Sequence, residues 1–430
     1  MIDMFGAENF KSNVFSCCLM VFKKIFIYFA GLSFAVALSL LMLSLHNGPA
    51  TFESAHAQAI KDQELSLNPV YSGFSSPTGI AFLNDSGNHA LVIEKKGSVK
   101  LISNGVVSPD SIMTFNVDTK VERGLLGVDV MKKNGITYVF FYITENLAGS
   151  SSSASDELRN RVYGFQWTGN GLTNQKLLLD LPAIPGPNHN AGKITIGKDG
   201  NLYTVVGDLN HETKLQNFAD GGEPDLTGSI YRINPLDGSA LPDNPFVGSN
   251  VPNLEKTFAY GLRNSFGLTT DPVTGNIWDT ENGPSFSDEI NIVNPGFNSG
   301  WKSVMGPISS SDKTEADLVQ FPNSKYHDPQ VSWPDPIAVT DIEFINTPLL
   351  GAKYQNNILV GDYLNGNLYF FKVRGDRTAL DVTDALIDTP AEMDAYTLGT
   401  GFGGITDIKT GPDGKVYVVS YKTGDIYTIS

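Results

Sequence analysis

Apolar and polar residues alternate along most of the chain after residue 68. Short runs rich in Val, Ile, Tyr and Phe are separated by turn residues, and helical periodicity is hard to find. Alternation with a period of two is typical of a strand with one buried face. The pattern therefore predicts an all-β fold.

One unit of this pattern recurs along the chain. It consists of a run that ends in a small-residue turn, a second run, a Gly or Asn turn, and a third run that carries an aromatic residue. The copies begin at Gly79, Gly124, Gly192, Tyr260, Thr340 and Gly404. Such a repeat predicts a six-bladed β-propeller of four-stranded blades over residues 68–430. The alternative is a pair of β-sandwiches.

Two details refine the predicted propeller. A strand near residues 70–72 is expected to close the ring by pairing with the last strand, at residues 426–429. The fourth unit carries a long insertion at about residues 302–332.

The N-terminal part of the chain carries a different signal. Residues 26–45 form an uncharged apolar run that follows Lys23 and Lys24 and is long enough to cross a bilayer. Residues 55–57 read Ala-His-Ala, a pattern that signal peptidase cleaves. Residues 1–57 are therefore predicted to be a cleaved signal peptide or a membrane anchor. Both place the body outside the cytoplasm, secreted or anchored, with membrane contact through this segment alone.

The charge balance excludes one class of partner. The chain has 30 Lys and Arg against 46 Asp and Glu, which gives a net charge of −16. Such an acidic protein repels a phosphate backbone, so no nucleic-acid partner is expected.

Polar loops at one end of a propeller converge on its central channel, and four of them carry candidate chemistry. His189 offers an imidazole that can take a proton near neutral pH, and Asp208, after the next strand, would lie beside it. Arg263 and Asn264 could hold an electron-rich oxygen. The acidic loop at residues 280–291 suits calcium, or is a solvated turn.

With these four loops in the same order, the chain resembles the soluble pyrroloquinoline quinone (PQQ) dependent glucose and aldose sugar dehydrogenases, the glucose/sorbosone dehydrogenase family. The resemblance spans about residues 68–430. It implies that His189 is the catalytic base, that Asp208 orients it and that Arg263 polarises the quinone. Further roles follow from it: Glu122, Arg263, Asn264 and Asn282 bind PQQ, the carbonyls of Gly283 and Pro284 ligate calcium, and Glu289 and Ser299 belong to a further calcium site.

The resemblance also implies the reaction: an aldose sugar loses hydride from its anomeric carbon to PQQ and forms a lactone, and an external electron acceptor reoxidises the cofactor. This chain departs from the family where cationic anchors are expected, because it has Leu364, Gly404 and Thr406 there. PQQ is therefore expected to bind loosely. Two other functions stay open: a non-catalytic extracellular propeller that binds carbohydrate or protein, and a calcium-dependent lactonase.

Overall fold

The computed structural model describes residues 58–148, 157–251 and 254–430. The predicted signal peptide or anchor at residues 1–57 lies outside these ranges. Within them, no helix is both long and apolar enough to cross a membrane. The one α-helix of these ranges, α1 (Pro390–Tyr396), begins at a Thr389 cap whose side chain accepts a hydrogen bond from the Glu392 amide.

The described residues form six sheets, numbered by the order of their inner strands along the chain. The first two contain β3 (Pro77–Phe82), β4 (His89–Glu94), β5 (Ser98–Ser103) and β6 (Val106–Thr114), and then β7 (Leu125–Lys133), β8 (Ile136–Asn146), β9 (Leu158–Trp167) and β10 (Leu172–Pro182). The third contains β11 (Ile194–Ile196), β12 (Leu202–Val206), β13 (Ser229–Ile233), β14 (Thr257–Tyr260), β18 (Phe297–Asn298) and β19 (Lys325–Tyr326).

The other three sheets complete the chain. The fourth contains β15 (Ser265–Thr270), β16 (Ile277–Glu281), β17 (Asp288–Val293) and β20 (Val331–Trp333). The fifth contains β21 (Val339–Phe344), β22 (Ile358–Asp362), β23 (Leu368–Phe371), β24 (Thr397–Thr400) and β1 (Ala59–Ile60). The sixth contains β25 (Ile405–Thr410), β26 (Val416–Ser420), β27 (Ile426–Ile429) and β2 (Leu67–Tyr71).

The inner strands make the architecture a propeller. Each inner strand packs against the next, from β3 through β7, β11, β15 and β21 to β25, and β25 packs against β3. Strand β2 pairs antiparallel with β27, with Leu67 opposite Ile429, so strands from the two ends of the described chain share one sheet. This pairing was expected from the sequence.

The fold class predicted from the sequence, six blades of four strands each behind an export segment, needs correction. The third sheet has six strands and the fifth has five among the described residues, so four strands per blade is wrong. The extra strands of the third sheet are β18 and β19, which pair in parallel and bring in residues of the predicted insertion. Short strands in an irregular loop carry too little alternation to reveal which sheet they join.

Apolar side chains fill the spaces between neighbouring sheets. The indole of Trp278 in the fourth sheet packs edge-on against Phe344 of the fifth, with ring centres 5.9 Å apart. Trp333 packs in the same way on Phe371, with ring centres 6.0 Å apart. All four rings are buried, so both contacts exclude water between the fourth and fifth sheets.

Buried charges tie the inner strands together across the propeller axis. The Lys193 ammonium of the third sheet lies 2.7 Å from the Asp341 carboxylate of the fifth sheet and also contacts Asp407 of the sixth. The second oxygen of Asp407 accepts a hydrogen bond from the Ile80 amide of the first sheet at 2.6 Å. Although burial opposes the charge, the two aspartates raise the pKa of Lys193, so it stays protonated. Four sheets therefore meet at one ion cluster.

Candidate active site

A cavity of about 520 Å³ opens where several loops converge at one end of this ring. The loops that precede β7, β11 and β15 and the loop that follows β16 carry the predicted site residues that line it. They bring together Glu122, His189, Arg263, Asn264, Asn282 and Gly283, all of which line the cavity or its floor. A volume of this size suits a tricyclic cofactor together with a small substrate.

The predicted acid–base pair is assembled in the loops before β11 and after β12. Nδ1 of His189 lies 2.5 Å from Oδ1 of Asp208, and the two residues are 6% and 4% exposed. Because a carboxylate only accepts hydrogen bonds, Nδ1 is the donor, and in the neutral imidazole the lone pair is then on Nε2. No hydrogen bond from the described parts of the chain reaches Nε2, which leaves it free to accept a proton.

The two loops approach closely because Gly207 lies between them. A side chain at this position would come within 2.5 Å of the His189 carbonyl oxygen and 2.6 Å of the Arg263 carbonyl oxygen. His189 itself has a positive φ of 63°, a strained conformation for a residue with a side chain. The loop is therefore held in place by its surroundings.

Glu122 supplies much of that restraint. One carboxylate oxygen of Glu122 accepts hydrogen bonds from the His189 amide at 2.5 Å, the Asn190 amide at 3.3 Å and the Asn264 side-chain amide at 3.1 Å. The sequence predicted Glu122 as a cofactor ligand. In the structure, Glu122 also connects the loop that carries His189 to the loop that carries Asn264.

Arg263 faces the cavity from the loop before β15. Its Nη1 donates to the carbonyl oxygens of Asn282 at 3.0 Å and Gly283 at 2.8 Å. Its main-chain amide donates to Glu281 at 2.6 Å. Burial lowers the pKa of Arg263, which the carboxylates of Asp208 and Glu281 counteract. A guanidinium stays charged under these conditions, so it can stabilise negative charge on a bound oxygen.

The turn at Gly283 and Pro284 is fixed by Asp288. One oxygen of Asp288 accepts from the Gly283 amide at 2.9 Å, and the other accepts from the Ile337 and Val339 amides at 2.9 and 3.2 Å. A Cβ at Gly283 would lie 1.9 Å from the Phe286 carbonyl oxygen, so the turn requires glycine. The Gly283 carbonyl predicted to bind calcium is the one that accepts from Arg263.

Glu289 and Ser299, predicted from the sequence to share a further calcium site, bond to different partners. Glu289 accepts from the Gly306 amide and from Asn291, whereas Ser299 donates to Glu281 at 2.6 Å. Burial raises the pKa of Glu281 to about 7 and also raises that of Glu289. Across residues 58–148, 157–251 and 254–430, no group of three or more His, Cys, Asp or Glu is arranged to hold a metal ion.

The cavity wall formed by the fifth and sixth sheets is apolar and aromatic. Leu364 is 58% exposed beside Tyr363, whose ring meets Tyr421 at 5.6 Å between centres. A side chain at Gly404 would meet the backbone and ring of Tyr363 at 3.1 to 3.2 Å. The aromatic ring thus occupies the space that a longer side chain at position 404 would need.

The two lysines that line the cavity already have partners. Lys193 is held by two aspartates, and Lys95 donates to the carbonyl oxygen of Val121 at 2.5 Å and to that of Thr119 at 3.2 Å. Thr406 donates to the carbonyl oxygen of Pro77 at 2.8 Å. An anionic ligand would therefore find few free positive charges on this wall.

Trp301 belongs to the site although the sequence analysis did not include it. Its indole Nε1 donates to Oδ2 of Asp208 at 2.6 Å, and its ring lies 5.4 Å from the Arg263 guanidinium carbon. The signal available in the sequence was weak. Trp301 is one of four tryptophans in the chain, and it follows the tripeptide Asn298-Ser299-Gly300.

Comparison with known proteins gives a consistent assignment. The family model described as Glucose / Sorbosone dehydrogenase matches residues 74–428. Aldose sugar dehydrogenase YliI of Escherichia coli is 27% identical over 258 residues. The alignment covers 58% of this chain and 62% of the length of YliI. Quinoprotein glucose dehydrogenase B of Acinetobacter calcoaceticus is 25% identical over 306 residues. The alignment covers 65% of this chain and 60% of the length of that enzyme. The chain thus spans about three fifths of each relative.

A solved structure resembles the fold as well. The PQQ-bound form of aldose sugar dehydrogenase from Streptomyces coelicolor superimposes with a TM-score of 0.60 and 23% identity, covering 87% of this chain and all of that one. At this identity the likeness shows the fold alone.

Proposed function

Because the chain belongs to the glucose/sorbosone dehydrogenase family, as the match over residues 74–428 shows, we propose that this sugar oxidoreductase oxidises aldoses to lactones with PQQ. The observation that carries the proposal is His189 in the cavity wall, with Asp208 hydrogen-bonded to its Nδ1. It offers a base whose free nitrogen accepts a proton beside a cavity of suitable size. The homology to quinoprotein glucose dehydrogenase B supports the cofactor.

Unsatisfied polar atoms at the cavity wall fit such a cofactor. Among the described residues, Nε of Arg263, Oδ1 of Asn264 and Oγ1 of Thr340 are buried without a hydrogen-bond partner, and all three residues line the cavity. PQQ has both carbonyl acceptors and a ring N–H donor, which such a mixed set can satisfy. Arg263 and Asn264 would hold it, with Glu122 and Asn282 shaping the same wall.

The residues of this chain would divide the work of the reaction. The aldose loses a hydride from its anomeric carbon and a proton from its anomeric hydroxyl, and Nε2 of His189 takes the proton. Asp208 keeps the imidazole in the required tautomer and stabilises the imidazolium. When bound, PQQ supplies the two-electron acceptor. Arg263 stabilises negative charge on an oxygen within the cavity.

Calcium is the second proposed cofactor. The carbonyl oxygens of Gly283 and Pro284 are ligands of the type that calcium prefers, and Asp288 holds their turn rigid. Calcium at this turn would share the Gly283 carbonyl with Arg263. We propose that the ion and the guanidinium act on the same side of the cavity.

We further propose that the propeller works outside the cytoplasm and passes electrons to an external acceptor. The proposal rests on the apolar run at residues 26–45 and the Ala-His-Ala sequence that follows it. Sequencing the N-terminus of secreted material tests it. A mature start near Gln58 supports cleavage, whereas recovery only in detergent with the run attached supports an anchor.

Sugar-driven dye reduction tests the enzymatic function. Apoprotein supplied with PQQ and calcium should reduce a dye when an aldose is added, and His189→Ala should abolish the activity. His211→Ala is the matched control, because His211 also pairs with an aspartate, Asp225, but its other nitrogen donates to the Ile184 carbonyl at 2.7 Å. Equal losses in both variants, or no activity with any aldose, would contradict the proposal.

A further inference from the structure

Trp301 contacts both Asp208, the partner of the proposed base, and Arg263, the cation of the candidate site. Trp301 is 8% exposed, and its Nε1 donates to the oxygen of Asp208 that His189 leaves free, so each carboxylate oxygen has a fixed partner. A carboxylate bound at both oxygens cannot rotate about its terminal bond without breaking a hydrogen bond. Oδ1 of Asp208 also accepts from the Asn210 amide at 2.8 Å, so the indole and this amide together set the direction of the His189 hydrogen bond.

The same ring lies beside the cation of the site. The Arg263 guanidinium carbon lies 5.4 Å from the centre of the Trp301 ring, within the range of a cation–π contact. Arg263 is the residue that would meet the electron acceptor, whereas Asp208 serves the base. One side chain therefore sets the relative position of the group that takes the proton and the group that stabilises the transferred charge.

The backbone around Trp301 makes it a rigid support. Its amide donates to the Gly261 carbonyl at 2.9 Å, and its carbonyl accepts from the Asn217 side chain at 2.8 Å. Gly261 is two residues before Arg263, so the loop that carries the indole is bonded to the loop that carries the cation. The indole cannot move far without disturbing both.

We infer that Trp301 is a positioning residue for sugar oxidation, which holds Asp208 and through it the His189 imidazole, and which supports the Arg263 guanidinium. The inference rests on the proposed function for its effect on catalysis. Its structural part, the orientation of the Asp208 and His189 pair, holds in the apoprotein and can be measured there.

Trp301→Phe separates the hydrogen bond from the ring. Phenylalanine keeps an aromatic face beside Arg263 but cannot donate to Asp208. We expect kcat to fall about 10-fold or more, with little change in KM, since misplaced catalytic groups affect chemistry more than substrate binding. Trp301→Leu removes the ring as well and should also weaken PQQ binding relative to Trp301→Phe, measured by titration.

Trp333→Phe is the matched control. Trp333 is a fully buried indole whose Nε1 has no hydrogen-bond partner in the described chain, so its loss removes packing without a polar contact. Both variants should unfold at somewhat lower denaturant concentration. Only Trp301→Phe should alter the site.

The deciding readout is the NMR signal of the His189 Nδ1 proton in apoprotein with labelled histidine. In wild type it should lie far downfield because of the short bond to Asp208, and in Trp301→Phe it should move upfield or broaden. An unchanged signal, or an equal change in Trp333→Phe, would overturn the inference. Absence of sugar oxidation in wild type would overturn the proposed function instead, and the apoprotein signal would still decide the role of Trp301.

Discussion

Replacing Lys193 with methionine tests whether the ion cluster on the axis holds the propeller together. The change keeps the length of the side chain but leaves the carboxylates of Asp341 and Asp407 without their cation. Asp341 is 0% exposed and Asp407 is 3% exposed, so both carboxylates are shielded from water in the folded protein. Removing one partner of a buried ion pair costs about 3–5 kcal/mol, a large share of the roughly 5–15 kcal/mol by which a domain is stable.

The cost should depend on pH. Burial raises the pKa of Asp341, whereas Lys193 holds the pKa of Asp407 below its usual value despite the burial of that carboxyl. Without Lys193 we expect the pKa of Asp407 to rise and that of Asp341 to rise further, since burial then acts on both with less opposition. An acid whose pKa is raised in the folded state destabilises the fold fully above that pKa, and the cost shrinks as the pH falls towards the unfolded pKa. The loss of stability in Lys193→Met should therefore be greater at pH 8 than at pH 5.

Urea unfolding at the two pH values checks this reasoning. Lys198→Met is the matched control, because Lys198 is an exposed lysine near the same strand, and it should change stability by less than about 0.5 kcal/mol. Adding Asp341→Asn and Asp407→Asn to Lys193→Met should recover part of the loss. A Lys193→Met variant no less stable than Lys198→Met would refute the argument.

Three further predictions follow from the site and its surroundings. His211→Ala should cost more stability at pH 5 than at pH 8.5. A hydrogen bond to Asp225 raises the pKa of His211, so the stabilisation by the protonated imidazole is lost as the pH rises through that raised pKa. Equal losses of stability in urea unfolding at the two pH values would contradict this prediction. Glu122→Ala leaves three hydrogen-bond donors of the site without an acceptor and should lower stability by about 2–4 kcal/mol and nearly abolish activity, whereas Glu122→Gln should lose less. Chelation of calcium should lower the Tm and weaken PQQ binding. An unchanged Tm in metal-free protein would contradict the proposed calcium site.

Local signals in the sequence predicted much of the fold. Asp199-Gly200 and Asp413-Gly414 are tight hairpin turns in the structure, each with the glycine at positive φ and with the aspartate accepting from the amide two residues on. Such turns depend on a few adjacent residues, so a single sequence reveals them. The pairing of β18 and β19 with the third sheet depends on distant contacts, and the sequence did not reveal it.

Some residues of the candidate site could be predicted from local sequence patterns, and others could not. His189, Asp208, Arg263 and Asn264 could be named from the residue patterns of their loops. In the structure His189, Arg263 and Asn264 line one cavity, and Asp208 is hydrogen-bonded to His189. The role of Trp301 could not be named, because its partner Asp208 is 93 positions away. The axial cluster is harder still, since Lys193 and Asp407 are 214 positions apart.

The most direct test of the central claim is an anaerobic single turnover with PQQ-loaded protein. The absorbance of the bound quinone should change to that of the reduced form after one equivalent of aldose is added, and a lactone should appear in equal amount. An aldose with deuterium at the anomeric carbon should react several-fold more slowly, and His189→Ala should not react. An unchanged quinone spectrum with every aldose would contradict the account.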